Sequence, residues 1–373
     1  MRSAHVGVIG AGPYGLTAAA RLRAAGLNVA IFGEVMSFWK AMPKGMLLRS
    51  EWDGSNFDDH NGPRSLNAYA RITPNAFSKH ITMAEFTRYG EWFQRTAVPD
   101  VDPRRVTRVE KVPGGFRMTL ADGDELEVER VVVATGLAAF ARRLLALAAL
   151  PADRVSHVCD ERDFGKYAGQ RVLVLGGGQS ALESSALLND AGAHVELATR
   201  GSQIYWLAGT GHISRESGRL AHLLYPPGAV GPLGINWVVQ LPGLYRSLPA
   251  PARHKVFTRA LRPAGSGWLR PRFEGATVFT GVSLKSAAMR GDAIEVELTG
   301  GVRRTVDHIV QGTGYHIDID GYDFLAPEIR REIRAIGDQP KLGDGYESSV
   351  PGLHFLGAAS DLSYGPLMRF VAG

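Results

Sequence analysis

One cysteine in 373 residues, Cys159, leaves no partner for an internal disulfide, a Cys-rich metal site or a redox pair of thiols. Reductases that work through two redox thiols are thereby excluded, and a reducing compartment fits the count. No window approaches about 18 uninterrupted apolar residues, so no membrane span is expected. The first ten residues run into a short strand and a Gly-rich turn rather than a secretory signal, and a cytoplasmic location is the default expectation. Basic runs are missing too. The net charge of +5 comes from scattered arginines without a recognition motif, so no nucleic-acid partner is expected. The 11 histidines show no metal-ligand spacing, and His212 and His222 read as packing residues, so no metal is expected.

What is present is a chain built to fold throughout. Apolar residues make up 45% and charged residues 21%, and the length suits two or three units of roughly 100 to 200 residues each. His5 to Ile9 reads as a buried strand that opens into Gly10-Ala11-Gly12-Pro13-Tyr14-Gly15 and an Ala-rich helix from Leu16 to Ala25. This is a GxGxxG turn between strand and helix. Gly10 allows the tight bend, Gly12 lets backbone approach a pyrophosphate, and Gly15 lets helix and strand pack closely. The helix mouth then offers free N–H groups to the anion. The next strand, Asn28 to Phe32, ends at Gly33 and Glu34, where an acid accepts hydrogen bonds from an adenosine ribose.

The pattern recurs. Arg171 to Leu175 opens into Gly176-Gly177-Gly178-Gln179-Ser180-Ala181, then a helix from Leu182 to Ala191 and a strand from Ala193 to Ala198. Here Thr199 and Arg200 replace the acid. An arginine pairs with a 2′-phosphate that an acid repels, which favours NADPH over NADH; the plainer reading makes Arg200 a surface residue.

Two apolar strands end in Thr-Gly, one at Thr135-Gly136 and one at Thr313-Gly314. The first follows short segments at Val106 to Val112, Phe116 to Leu120 and Glu125 to Val128; the second follows Val278 to Leu284 and Ile294 to Leu298. Both sets read as β-meanders feeding a crossover strand. The symmetry predicts an α/β fold of two Rossmann-like domains, the NADPH domain inserted into a discontinuous FAD domain. The FAD domain spans 1 to about 145 and about 305 to 373, and the NADPH domain lies between, with a substrate-side insertion at about 203 to 273. The strand Gly352 to Gly357 would close the first domain and bring Ala358 to Arg369 to the flavin.

Both Gly-rich turns, the paired Thr-Gly ends and the segment Glu85-Phe86-x-x-Tyr89-x-x-Trp92 together resemble the single-component flavin monooxygenases over nearly the whole chain. The run Gly176 to Glu183 is most similar to their N-hydroxylating branch, and the flavin-dependent urate hydroxylases are a further relative of similar size. One departure stands out. The family's Phe-x-Gly-x-x-x-His signature corresponds here to Val155-Ser156-His157-Val158-Cys159-Asp160, in which only His157 has a counterpart. That separates the chain from the flavin-containing and Baeyer–Villiger subgroups and leaves a smaller bacterial-type hydroxylase.

The resemblance implies FAD and NADPH as cofactors, O2 and a small organic molecule as substrates, and N-hydroxylation or ring hydroxylation through a flavin hydroperoxide. The alternative is a flavin oxidoreductase passing electrons to a quinone or a protein partner. Asn56 sits roughly where relatives carry an Asn beside the reactive flavin edge; the alternative is an ordinary turn former. Trp39 reads as a wall of the flavin pocket. Tyr364 and Arg369 are read as reaching flavin or substrate from the tail, and Gly365-Pro366 as a turn beside the ring, against a purely structural terminus. Arg49, with Lys44, would meet a phosphate or an acidic substrate, with surface solvation as the other reading. Trp206 and Trp237 are read as aromatic walls of the substrate insertion or as packing for that insertion or for a homodimer contact.

Overall fold

The computed structural model describes residues 2–50, 52–59, 61–207, 226, 230–231, 234–273 and 276–371; His212, His222, Pro227 and Gly228 lie outside them. The first sheet begins with β1 (Arg2–Ile9) and β2 (Val29–Phe32), joined by the helix Pro13–Ala24. It continues through the meander β3 (Val106–Val112), β4 (Gly115–Leu120) and β5 (Glu125–Val133). Its order is β2-β1-β5-β4-β3. The long β5 runs parallel to β1 on one edge and antiparallel to β4 on the other.

The second sheet takes β6 (Val155–His157), β7 (Arg171–Leu175) and β8 (His194–Thr199). After the short parallel pair β9 (Trp206–Leu207) and β10 (Gly265–Ser266), it adds β11 (Thr277–Thr280). A separate antiparallel ribbon, β12 (Leu284–Arg290), β13 (Ala293–Leu298) and β14 (Arg303–Val306), leads to β15 (His308–Gln311). The order β11-β8-β7-β15-β6 is parallel throughout, and its strands read as near-continuous apolar runs. A small hairpin, β16 (Ala335–Ile336) with β17 (Gln339–Pro340), precedes β18 (Leu353–Phe355), which returns to pair with β5 in the first sheet.

Several expectations change, and the second helix, expected from Leu182, starts at Gln179 after its N-cap Gly178. Helix Pro13–Ala24 starts three residues before Leu16, because Gly12 is the N-cap and Pro13 fits the first helical position, where its missing N–H has no bond to lose. Glu125 to Val128 is not a separate segment but the first half of β5, since β1 pairs in one register with both Leu126 to Val128 and Arg130 to Val133. The stretch Val278 to Leu284 breaks at Gly281 (φ +69°): its first part is the edge strand β11, its end the start of the β12–β14 ribbon. The return to the first unit falls after β15 rather than near 305, because β15 lies between β7 and β6 in the second sheet.

Buried residues on the two faces of the first sheet form separate cores. One gathers Phe116, Met118, Tyr322 and Phe355; the other packs Leu16, Phe86, Tyr89 and Phe93 under the helix Met83–Ala97. That helix is fixed at its start by a capping box, Thr82 accepting from the Glu85 N–H while Glu85 accepts from the Thr82 N–H. Val230, Val239 and Ala260 of the insertion join the first of these cores, so a segment counted with the second unit in sequence is packed into the first. No helix among the described residues is long and apolar enough to cross a membrane.

Candidate functional site: two glycine cradles

The first cradle is shaped by backbone that no side chain could replace. Gly10 has φ +112°, and a Cβ there would stand 2.3 Å from the Ala134 carbonyl oxygen. A Cβ on Gly15 would stand 1.8 Å from the Gly10 carbonyl oxygen, so helix and strand touch through glycine alone. Gly12 is different. A Cβ there meets nothing within 4 Å, so the space over it is open to a ligand. The Gly10 N–H donates to Phe32 and the Met36 N–H to Ala11, which folds the chain after β2 over the turn. Glu34 is exposed at the end of β2. A bend at a helix mouth, an uncovered glycine and a terminal acid fit FAD as the sequence predicts.

The second cradle repeats this. Gly176 has φ +145°, and a Cβ would stand 2.3 Å from the Gly312 carbonyl oxygen; Gly178 is the N-cap of the helix Gln179–Asp190 and is open apart from Pro263 at 4.0 Å. Ala181 takes the packing role of the third glycine: it is fully buried, and a Cβ on Gly312 would lie 2.5 Å from its own. Ser180 is half-buried in the first turn. Thr199 is buried, its hydroxyl accepting the Gly201 N–H at 3.3 Å, while Arg200 is exposed and has no ion-pair partner among the described residues. These residues fit NADPH.

The second Thr-Gly end clasps the chain a few residues beyond the first. Ala141 bridges Tyr315, the Arg142 N–H donates to Gly314, the Thr313 hydroxyl donates to Arg142, and His157 Nε2 lies 3.2 Å from the Gly314 carbonyl oxygen. Thr135 and Gly136, at the first Thr-Gly end, are exposed. Phe38 packs edge-on to both Trp39 and Tyr315, and Trp39 edge-on to Phe86, so Trp39 is half-buried against the core under the helix Met83–Ala97.

Several polar residues read from the sequence as ligand contacts hold the protein itself. Asn56 donates to the Asp53 carbonyl at 3.0 Å and accepts the Leu66 N–H at 2.7 Å, the job of a turn former. Tyr364 donates to Gly343, accepts the Tyr346 N–H at 3.1 Å and stacks on Tyr346 at 4.0 Å, leaving its hydroxyl occupied. Arg369 pairs with the fully buried carboxylate of Asp361. Tyr14 donates to the carbonyls of Met368 and Phe370, tying the tail to the first helix. Trp206 packs edge-on to Phe273, whereas Trp237 is 38% exposed.

Arg49 stands apart from these. Its guanidinium lies 5.5 Å from the Phe370 ring centre, with no hydrogen bond or ion pair to any described residue, and burial lowers its pKa. A desolvated, unpaired guanidinium is costly unless a ligand completes it. Glu183 was missed as a functional residue, although it lies four residues after Gln179 on one helix face. Its buried carboxylate accepts the Leu47 N–H of the first unit at 2.6 Å and the Gln179 amide at 3.1 Å, and Gln179 in turn accepts the Ser266 N–H at 2.8 Å. The Gln179 amide is therefore committed to the protein as well.

Residues 8–208 match the family model described as pyridine nucleotide-disulphide oxidoreductase. The FAD-dependent urate hydroxylase of Xanthomonas campestris is 31% identical over 119 residues, 30% of this chain and 25% of that protein. A ferredoxin–NADP reductase of Ignicoccus hospitalis is 26% identical over 204 residues, 52% of this chain and 56% of that protein. The matched stretches thus span a quarter and just over half of these two relatives. Among solved structures, an ornithine hydroxylase of Pseudomonas aeruginosa superposes with a TM-score of 0.77 at 18% identity, covering 99% of this chain and 95% of that one. With two such cradles in one polypeptide and more than half of its length matched by the family model, the chain belongs to the pyridine nucleotide-disulphide oxidoreductase family.

Proposed function

We propose that this member of the family is an FAD- and NADPH-dependent monooxygenase that adds one oxygen atom of O2 to a small organic substrate bearing an anionic group, by N-hydroxylation or by hydroxylation of an activated ring. The carrying observation is a pair of cradles served by a single thiol. Cys159 has no second cysteine to exchange with, and burial raises its pKa, so the thiolate that disulfide chemistry needs is disfavoured. FAD held in the first cradle would supply the two-electron chemistry that links NADPH to O2, so that substrate, NADPH, a proton and O2 would give hydroxylated product, NADP+ and water. The chain's own part is to orient and to exclude water. The glycine turns hold the two pyrophosphates, the clasp at Gly314 sets one unit against the other, and Phe38 and Trp39 supply apolar surface beside that junction. Arg49 supplies the charge that would hold the substrate's anionic group.

The test is NADPH oxidation under 18O2 across small amines, amino acids and activated aromatic acids, with product mass measured. The proposal expects substrate-stimulated consumption and one labelled oxygen per product, a gain of about 16 Da with ordinary O2. Turnover only with a quinone or a ferredoxin, without labelled product, would favour the second reading, electron transfer to a partner; that reading draws on the likeness to the ferredoxin–NADP reductase. For Arg49→Ala, steady-state kinetics should show KM for the anionic substrate rising about ten- to a hundredfold, the worth of a charge-assisted hydrogen bond, with kcat changed far less. Arg49→Lys should recover part of it. An unchanged KM would remove Arg49 from the substrate site.

A further inference from the structure

We propose that Arg262, from the insertion, is a second cation of the 2′-phosphate site, acting with Arg200 to select NADPH. The inference rests on reading the second cradle as the NADPH site, and it assigns a role to a residue that lies 62 positions beyond the Thr199-Arg200 pair.

The segment carrying Arg262 is pinned on the lip of that cradle. Gly265 and Ser266 form β10, which runs parallel to Trp206 and Leu207 of β9, and the Gly265 N–H donates to the Tyr205 carbonyl at 2.9 Å. The Ser266 N–H donates to Gln179, the first residue of the cradle's helix, at 2.8 Å. Pro263 is the one neighbour that a Cβ on Gly178 would meet, at 4.0 Å, and a Cβ on Gly265 would stand 2.5 Å from Leu182 in that helix. Arg262 is thus next in sequence to the residue that borders the open glycine, and it lies over Tyr205, six residues after β8 ends at Thr199.

The guanidinium carbon of Arg262 is 3.4 Å from the centre of the Tyr205 ring. Stacking fixes the plane of the fork and leaves its N–H groups pointing outward around the rim, where they are available to an oxyanion. No carboxylate or other acceptor among the described residues takes them. Arg246 is paired with Asp344, Arg272 with Asp190 and Arg171 with Asp307, whereas Arg253, Arg259 and Arg270 also show no ion pair among the described residues, so what sets Arg262 apart is the Tyr205 platform and its place beside the open Gly178. Sequence contributes the same signal, since residues 217–273 contain no aspartate or glutamate at all. An exposed cation on a fixed aromatic platform, beside a phosphate cradle and far from any acid in sequence, matches a dianionic phosphate, which a planar fork binds through two N–H groups. In a dinucleotide held by its pyrophosphate at the helix mouth, the group that reaches the end of β8 is the adenosine ribose, and the phosphate that distinguishes NADPH from NADH sits on its 2′ oxygen.

The test uses the FAD-loaded full chain and two nicotinamide-free probes, 2′,5′-ADP and 5′-AMP, by titration calorimetry. Wild type should bind 2′,5′-ADP at least about tenfold more tightly than 5′-AMP. Arg262→Ala should weaken 2′,5′-ADP about tenfold and leave 5′-AMP within about twofold, and the Arg200→Ala, Arg262→Ala pair should bring both probes to the same affinity. Arg262 is exposed, so the variant should fold as wild type does. A variant that binds 2′,5′-ADP as wild type does, or that loses both probes equally, overturns the inference. Each of those results leaves the function standing if wild type is still reduced by NADPH, whereas a wild type that binds neither probe and takes no electrons from NADPH removes the reading of the cradle itself.

Discussion

Gly15→Ala is expected to yield protein that is both destabilised and free of flavin, while Gly12→Ala should lose flavin and keep its stability. The two glycines belong to one motif and differ in what surrounds them. A methyl at Gly15 would sit 1.8 Å from the Gly10 carbonyl oxygen, a backbone atom that moves only if β1 and its helix separate. Overpacking of that kind costs about 1 to 3 kcal/mol even where side chains can shift, and more where backbone must. At Gly12 the free protein offers no obstacle: φ is −87°, an ordinary value for alanine, and nothing lies within 4 Å. Alanine there removes backbone freedom from the unfolded chain and should change stability by less than about 1 kcal/mol. Its cost appears only when a pyrophosphate must approach the backbone. Thermal unfolding of flavin-free protein, followed by FAD titration of each variant, separates the two effects. Full FAD affinity in Gly12→Ala would mean that the pyrophosphate does not lie over this turn.

This contrast also explains what could be read from sequence. Both cradles were legible because each is made by a few adjacent residues whose steric demands are local: a positive φ at Gly10 and Gly176, and a close contact at Gly15 that Ala181 replaces in the second unit. The strands that flank them were legible for the same reason. Side chains placed by chain returns were not. Tyr364 looked like a ligand contact from its position near the tail, yet its hydroxyl is taken by Gly343 and Tyr346, residues that no local spacing connects to it. The exit from the second sheet was misplaced because β15 has the same apolar pattern whichever sheet receives it, and only pairing with β6 and β7 decides. The insertion was read as a wall for substrate. The structure shows it packed on the first unit, with Tyr245 buried against Gly365 and the Arg246 guanidinium 4.6 Å from the Tyr364 ring, and bonded to the second through the Ser266 N–H and Gln179. Arg49 was ambiguous in sequence, between surface and site, and its lack of a hydrogen bond or ion pair among the described residues could not be read there.

Replacing Glu183 by glutamine should reverse the way stability responds to pH. Burial pushes the Glu183 carboxyl up to about 7 from an ordinary 4.5, outweighing the two hydrogen bonds it accepts from Leu47 and Gln179 and the attraction of Arg272. The folded form therefore holds a proton that the unfolded chain has already released. The associated stability is complete below about 4.5 and is lost as pH climbs through 7, a change of about 3 kcal/mol. His308 works in the opposite sense. Burial lowers it from 6.5 to about 4, so its contribution is present above 6.5 and disappears as pH falls through 4. In wild type the two slopes offset one another between about pH 4.5 and 6.5, and stability then declines toward pH 7.5. Glu183→Gln keeps an acceptor for the Leu47 N–H and has no proton to lose. Urea unfolding across pH 5 to 8 should therefore show the variant gaining about 3 kcal/mol on wild type as pH rises, because groups common to both proteins cancel in the difference. Glu183→Ala is the counterpart: with Leu47 N–H and the Gln179 amide left without their acceptor, it should lose about 1 to 3 kcal/mol for each buried donor. A difference between wild type and Glu183→Gln that stays flat with pH would mean that water or a cation reaches this carboxylate, and that the link from Leu47 through Glu183 and Gln179 to Ser266 is open to solvent rather than a buried tie between the two units.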